Sequence, residues 1–174
     1  MQNVLALRPL ALLSAMLLAA CAADSTTRSG DGPRLGMRFN QPYPAMFGGG
    51  SHAGLDIDVP LGTTVRSPAD GTVSVALTMD LRGNATNIVM IDHGGGISSR
   101  YLHIDRVTVK PGDKIKQGES FAATALNGPG GPNTSALVPY PHLHFEVYRD
   151  GARVDPESLR MGCSGTAFLW PVPC

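Results

Sequence analysis

The chain has 174 residues, with 14 basic and 14 acidic side chains and a formal net charge of +0. That is enough for one domain with a real core, and the absence of clustered Lys and Arg argues against a nucleic-acid footprint. With 21 Gly, 14 Pro and only short apolar runs, the composition favours an all-β domain with many turns.

Residues 1–20 read as an export signal. Arg8 precedes the apolar run Leu10 to Ala20, which is too short for a comfortable transmembrane helix and ends in small residues. Leu18-Ala19-Ala20-Cys21 resembles the bacterial lipoprotein lipobox. That resemblance implies cleavage before Cys21, lipidation of Cys21 and attachment to a membrane. Ala22, where an Asp would favour retention in the inner membrane, points to the periplasmic face of the outer membrane. The alternative is an ordinary secretory signal with an incidental cysteine. Residues 21–34 are small, polar and Gly-containing, and read as a flexible tether.

The folded domain is expected over residues 35–160. Leu35 to Phe47 contains Pro42 and Pro44 and reads as extended; Gly48-Gly49-Gly50 then leads into His52. Short strands are predicted at Gly54–Val59, Thr63–Arg66, Gly71–Leu77, Asn87–Asp92, Ser98–His103, Ser120–Leu126 and His142–Arg149, separated by Gly- and Asp-rich turns. No segment shows ten residues of helical period. Asn127 to Tyr140 is a Gly/Pro-rich loop, of a length often found in lids, groove walls or surface insertions.

The densest chemistry lies in Pro141-His142-Leu143-His144-Phe145-Glu146-Val147. On a strand His142, His144 and Glu146 share one face, and Leu143, Phe145 and Val147 the other. Two imidazoles backed by an apolar face make a rigid half-site for a metal. His52-Ala53-Gly54-Leu55-Asp56 is the candidate for the rest. Nitrogen and carboxylate ligands suit Zn2+, which takes three protein groups in a catalytic site and keeps a position for water. His93, at a turn before three glycines, reads as a turn or groove residue. Asp58 shares the face of Asp56 and reads as support or solvated surface.

Taken in order, His52-x-x-x-Asp56 within HAGLDIDVPLGTTVRSPADGTV, Tyr101-Leu102-His103, VKPGDKIKQGE, His142-x-His144 and Arg153-Val154-Asp155-Pro156 resemble the lysostaphin/LytM-type zinc metallopeptidases of the bacterial cell wall. The resemblance runs from Phe47 to Leu159. It implies a single all-β domain of short antiparallel strands, the barrel-sandwich hybrid or duplicated hybrid motif. The echo between Pro60-Leu61-Gly62 and Pro111-Gly112-Asp113 is similar to the hairpins of such domains. It also implies one zinc held by His52, Asp56 and His144, flanked by His103 and His142 as catalytic groups. One imidazole would act as general base and the other would stabilise the oxyanion or serve the leaving amine. The implied substrate is peptidoglycan, cut at peptide bonds of its crosslinks, and a regulatory protein partner is a further expectation. The rival reading is a catalytically inactive module of the same type that activates a cell-wall amidase. A biotinyl carrier is disfavoured because its lysine motif is missing. Two departures bear on substrate preference: Phe121 to Leu126 replace a glycine-rich turn, and Met46-Phe47 stand where staphylococcal members carry a tyrosine, with Tyr43 a little earlier.

Residues 161–174 read as a C-terminal tail. If Cys21 is lipidated, Cys163 and Cys174 remain to form a disulfide in an oxidising compartment.

Overall fold

A computed structural model describes residues 32–43, 49–80, 85–125 and 141–174. The export signal, the lipobox Cys21, the Met46-Phe47 pair and the Gly/Pro loop 127–140 lie outside the described residues.

The described chain is built from antiparallel strands: β1 (Arg34–Leu35), β2 (Leu55–Asp58), β3 (Thr64–Arg66), β4 (Gly71–Asp80), β5 (Ala85–Gly94), β6 (Ile97–Asp105), β7 (Lys114–Ile115), β8 (Ser120–Thr124), β9 (His142–Arg149) and β10 (Ala152–Val154), closed by one 3-10 turn at Pro156–Leu159. They form one continuous sheet in the order β1-β2-β9-β6-β5-β4-β7, with β10 on β9 and β8 joining β3 to β6. This is the all-β domain of short antiparallel strands expected from the sequence, and the structure joins the strands into a single sheet. All seven predicted strands are present. β4 and β5 run longer than expected, because paired strands extend each other beyond their apolar stretches. The short β1, β7 and β10 carry too few residues for a periodic signal, and pairing with a neighbour is what makes them strands.

Two-residue alternation sorts β9 into two faces. Leu143, Phe145 and Val147 enter a core with Leu55, Ile57, Tyr101 and Phe121, all essentially inaccessible to water. His142, His144 and Glu146 face the other way, and they too are buried. A sheet with one fully apolar face can afford such a polar surface only where the groups satisfy each other.

The C-terminal segment packs into this core. Trp170 and Val172 are buried within it. Arg66 of β3 holds the strap by three bonds, its backbone N–H donating to Pro171 O at 2.9 Å and its guanidinium to Trp170 O and Val172 O at 3.1 and 3.0 Å. Cys163 and Cys174 are bonded, with Cα atoms 5.8 Å apart.

Candidate metal centre

The centre is assembled by strand register. β2 and β9 run antiparallel with Asp56 opposite His144 and Asp58 opposite His142, a pairing that brings side chains on one face into contact. His52 lies just before β2. Its backbone is held at both ends, the N–H donating to Gln41 O at 2.9 Å and the C=O accepting from Asn40 N at 3.0 Å. Between His52 and Asp56 the chain crosses β9 so closely that a Cβ on Gly54 would stand 2.4 Å from Phe145 O. Only glycine allows that crossing, and the crossing carries His52 over to Asp56 and His144.

Three atoms meet there. His52 Nε2 lies 3.1 Å from Asp56 Oδ1 and 3.1 Å from His144 Nδ1, and His144 Nδ1 lies 2.9 Å from Asp56 Oδ1. Among the described residues this is the one trio of His, Cys, Asp or Glu side chains close enough to hold a metal ion. The partners behind these atoms fix what each can do. His52 Nδ1 faces Arg38 O at 3.1 Å, and a carbonyl only accepts, so Nδ1 carries the proton and Nε2 a lone pair. His144 Nε2 faces Glu146 Oε1 at 3.2 Å, so the proton sits on Nε2 and Nδ1 presents a lone pair. Asp56 is an acceptor as well. In these tautomers three acceptors converge on one point with no donor between them, an arrangement that repels unless positive charge, a metal ion or a proton on an imidazole, fills it. The separations approach the roughly 3.3 Å expected between ligands of a tetrahedral zinc with bonds of about 2.0–2.1 Å. The donor set and its spacing fit a zinc ion.

Electrostatics point the same way. Burial opposes ionisation of Asp56, but hydrogen bonding to His144 and His52 and the charge of His142 outweigh it and hold the carboxyl well below the usual range. His144 is pulled both ways. Burial lowers its proton affinity, while Asp56 and Glu146 raise it and prevail, so the pocket favours positive charge at this ring. Glu146 titrates at about 2, its burial outweighed by hydrogen bonds from His144 and Tyr148 and by the charges of His144 and Arg100. Its second oxygen, Oε2, accepts from the Tyr148 hydroxyl and lies 3.3 Å from Arg153 Nε and 3.4 Å from Arg100 Nη1. Glu146 is therefore the clamp behind His144, a role its place on the histidine face of β9 foreshadows.

Two further imidazoles flank the trio. His142 Nε2 lies 3.5 Å from Asp56 Oδ1. The His103 ring lies 4.5 Å from that of His142 and 6.0 Å from that of His144, centroid to centroid. His103 reaches this face through a β-bulge. Tyr101 pairs with Phe145 and points into the core, so strict alternation would send His103 there too. Instead Asn87 to Val89 of β5 faces the longer step Ile104 to Tyr101 of β6, and His103 takes the left-handed region at φ 59°. Bulges next to sites re-aim a side chain in this way. Tyr43 also arrives by tertiary packing, its ring edge-on to His52 at 5.7 Å, with burial and the charges of Asp56 and Glu146 raising its phenol's affinity for its proton.

The remaining singled-out residues lie elsewhere. Asp58 pairs with Arg34 of β1, Nε to Oδ2 at 3.1 Å. His93 sits apart, with Nδ1 3.0 Å from Asp70 O and Nε2 2.8 Å from Ser99 Oγ.

Comparison with known proteins agrees with this geometry. An uncharacterized metalloprotease of Haemophilus influenzae is 36% identical over 110 residues, covering 63% of this chain and 21% of that protein. The peptidoglycan DD-endopeptidase ShyB of Vibrio cholerae is 38% identical over 104 residues, covering 60% of this chain and 22% of that protein. The crystal structure of a zinc-containing peptidase from Vibrio cholerae superposes with a TM-score of 0.59 at 30% identity, covering 71% of this chain and 35% of that one. The chain spans from 21% to 29% of the length of the curated relatives it matches. The profile described as Peptidase family M23 matches residues 50–156, the stretch that holds all five converging side chains, and the chain belongs to that family.

Proposed function

We propose that this chain is a zinc-dependent endopeptidase that hydrolyses peptide bonds in peptidoglycan crosslinks. The observation that carries the reading is the convergence of three lone pairs, with two more imidazoles beside them. The name of the Vibrio cholerae relative, a peptidoglycan DD-endopeptidase, supports the substrate. The sequence of residues 1–21 supports export and lipid anchoring at the periplasmic face of the outer membrane, and the Cys163–Cys174 disulfide suits that compartment.

His52 Nε2, Asp56 Oδ1 and His144 Nδ1 would hold the zinc. Bound there, the ion supplies a Lewis acid for the scissile carbonyl and lowers the pKa of a water towards about 7. The chain's own groups do the rest. Glu146 keeps His144 in the tautomer that offers Nδ1. Nε2 of His142, which is turned towards Asp56, takes the proton of the attacking water. The His103 imidazole stabilises charge on the carbonyl oxygen or hands a proton to the leaving amine. Histidine suits both tasks because its pKa lies near working pH. Tyr43 is the phenol beside the site and a further donor for the substrate.

Elemental analysis together with digestion of purified peptidoglycan tests the proposal. The wild-type chain should carry one zinc and release muropeptides, and His144→Ala should lose both the metal and the digestion. Full metal retention by His144→Ala overturns the ligand set. A zinc-loaded chain that cuts no peptidoglycan but stimulates an amidase overturns the endopeptidase reading.

A further inference from the structure

Two of the three candidate ligands, His52 and Asp56, are bracketed through their backbones by one neighbouring segment. Residues 34–41 run along the side of β2 away from β9. Arg34 stands opposite Asp58 and Leu35 opposite Ile57. Beyond β1 the pairing continues. The Gly36 N–H donates to Asp56 O at 2.8 Å, and the Asp56 N–H donates to Met37 O at 2.9 Å. Asn40 and Gln41 hold His52 on both sides in the same way. The segment also supplies Arg38 O, the carbonyl that takes the Nδ1 proton of His52 and leaves Nε2 for a metal.

That carbonyl is placed by a tight turn. The Gln41 N–H donates back to Arg38 O at 3.1 Å, and the Arg38 N–H donates to Gln41 Oε1 at 3.1 Å. Asn40 takes the left-handed region at φ 60° to close it, a conformation in which asparagine is enriched. The Arg38 side chain then ties the turn to a distant part of the fold, its Nη1 pairing with Glu157 Oε2. Glu157 stands on the 3-10 turn Pro156–Leu159, which is itself fixed. Asp155 caps it by accepting from the Glu157 N–H at 2.9 Å, Pro156 is buried, and Leu159 packs against the core. The ion pair thus fastens a turn at the sheet edge to a fixed point.

We propose that Arg38 and Glu157 are positioning residues of the metal centre: their ion pair holds the 38–41 turn against His52, so that Arg38 O fixes the imidazole in the tautomer and orientation that offer Nε2. Both residues lie outside the stretch 50–156 that the family profile matches, so the lock is no part of what that match assigns. The proposal rests on the zinc ligand set and is independent of the substrate. Outer-shell partners of a ligating histidine typically contribute about 10–100-fold to metal affinity. Arg38 and Glu157 act one link further out, and their side chains are 56% and 33% exposed. Solvent weakens such a pair, so the effect belongs at the low end of that range.

The test reads zinc affinity by competition with a chromogenic chelator. Arg38→Gln and Glu157→Gln should each raise the zinc Kd by about tenfold. The double variant should be no worse than either, because all three lose one and the same interaction. Reversing the pair, with Arg38→Glu and Glu157→Arg together, should restore most of the affinity. Lys116→Gln breaks an ion pair with Asp70 beside β7, at the other end of the strand order, and should leave the Kd unchanged. NMR of the zinc-loaded chain adds a signature of the ring itself. The Nδ1 proton of His52 should be protected from exchange with water in the wild type and should exchange faster in Arg38→Gln. Thermal unfolding of the metal-free proteins reports whether each variant keeps the fold. An unchanged Kd and unchanged proton exchange in both single variants overturn the positioning role, as does a loss that the reversed pair fails to repair. A wild-type chain that binds no zinc overturns the ligand set and this role with it. A tenfold loss with rescue, in a chain that cuts no peptidoglycan, upholds the lock and overturns the endopeptidase reading alone.

Discussion

The molecule contains two histidine networks, one buried and one that runs from the core to a half-buried imidazole, and β6 contributes to both. At one end His52, Asp56 and His144 turn three acceptors towards one point. At the other, donors and acceptors alternate. The Tyr101 hydroxyl lies 2.8 Å from Ser99 Oγ, Ser99 Oγ lies 2.8 Å from His93 Nε2, and His93 Nδ1 lies 3.0 Å from Asp70 O. Because the Asp70 carbonyl only accepts, His93 donates from Nδ1 and accepts at Nε2. Ser99 then donates to His93 and accepts from Tyr101, and every proton in the chain has a place. Residue type alone does not distinguish the two networks, since each has histidine and a hydroxyl or phenol nearby, although the second runs from the buried Tyr101 and Ser99 out to a half-buried His93. The sense of the hydrogen bonds does. A closed relay satisfies itself; a set of converging lone pairs is the donor set of a candidate cation site.

The largest effects should separate the networks by function. His142→Ala and His103→Ala should keep the zinc yet lose about 10²–10⁴-fold in hydrolysis of crosslinked muropeptides, the usual cost of removing a general acid or base. Stoichiometric loss of zinc from either variant would make that residue a ligand and redraw the centre. In the other network the effect should be on folding alone. Ser99→Ala strands the buried Tyr101 hydroxyl and takes the partner from the half-buried His93 Nε2. An unsatisfied buried group costs about 1–3 kcal/mol and a half-buried one less, so chemical denaturation should show a loss of about 2–4 kcal/mol with zinc content unchanged. Tyr101→Phe removes only the end of the relay and should cost about 0.5–1.5 kcal/mol. Equal losses in the two variants would show that protons are not passed in one sense from Tyr101 through Ser99 to His93.

Much of the metal end is legible in the sequence, because it is written in short-range pattern. His142, His144 and Glu146 share a face by period two, and the His-x-x-x-Asp spacing leads into the strand that pairs with them. The seven main strands follow from the same alternation. What the pattern hides depends on contacts distant in sequence. The bulge that turns His103 onto the site arises from a mismatch between β5 and β6, and nothing in Tyr101-Leu102-His103 alone announces it. Tyr43 meets His52 only because the segment before β2 folds back on it. The His93 relay joins residues of β5 and β6 to a carbonyl at the start of β4, so the turn before three glycines conceals it. The C-terminal strap likewise becomes core only through Arg66 and the buried Trp170.

Acidity should also tell the two ends apart. Burial lowers the proton affinity of His93, and the Asp70 carbonyl and the Asp92 charge only partly offset this. Lys114, Lys116 and the Asp70 carboxylate stand around the same cleft, the last two paired with each other. A histidine with a depressed folded-state pKa adds stability that is full above its unfolded value of about 6.5 and is lost as pH falls below it. Protonation at Nε2 would also take the acceptor from the Ser99 hydroxyl, leaving one proton of the relay without a place. With the metal site loaded, so that His144 does not titrate, unfolding free energy should decline from about pH 6.5 downwards. Between about pH 6.5 and 5, above the range in which the depressed carboxylates Asp56 and Glu146 contribute, that decline should be smaller in His93→Phe. A pH profile identical in the two proteins would remove His93 from the acid response.

The smallest effect bears on how the site is held in shape. His103 occupies a left-handed backbone conformation, at φ 59°, that disfavours any residue with a Cβ. The conformation persists because Ile104 on one side is locked in the core and Tyr101 on the other is locked between Phe121 and Phe145. Two variants separate the backbone from the imidazole. His103→Ala and His103→Gly both remove the ring, so both should lose activity to the same degree. Glycine adopts the left-handed region without a steric penalty, whereas alanine keeps it. Glycine also loses more chain entropy on folding, but at a position with positive φ the steric relief outweighs that loss. His103→Gly should therefore be more stable than His103→Ala by about 1 kcal/mol. Equal stability would mean that the bulge relaxes once the imidazole is gone, and that the ring, not the flanking core, holds β6 in this shape. A gain for glycine would mean that the fold imposes the strained turn and that the histidine is kept there for what its ring does beside the metal centre.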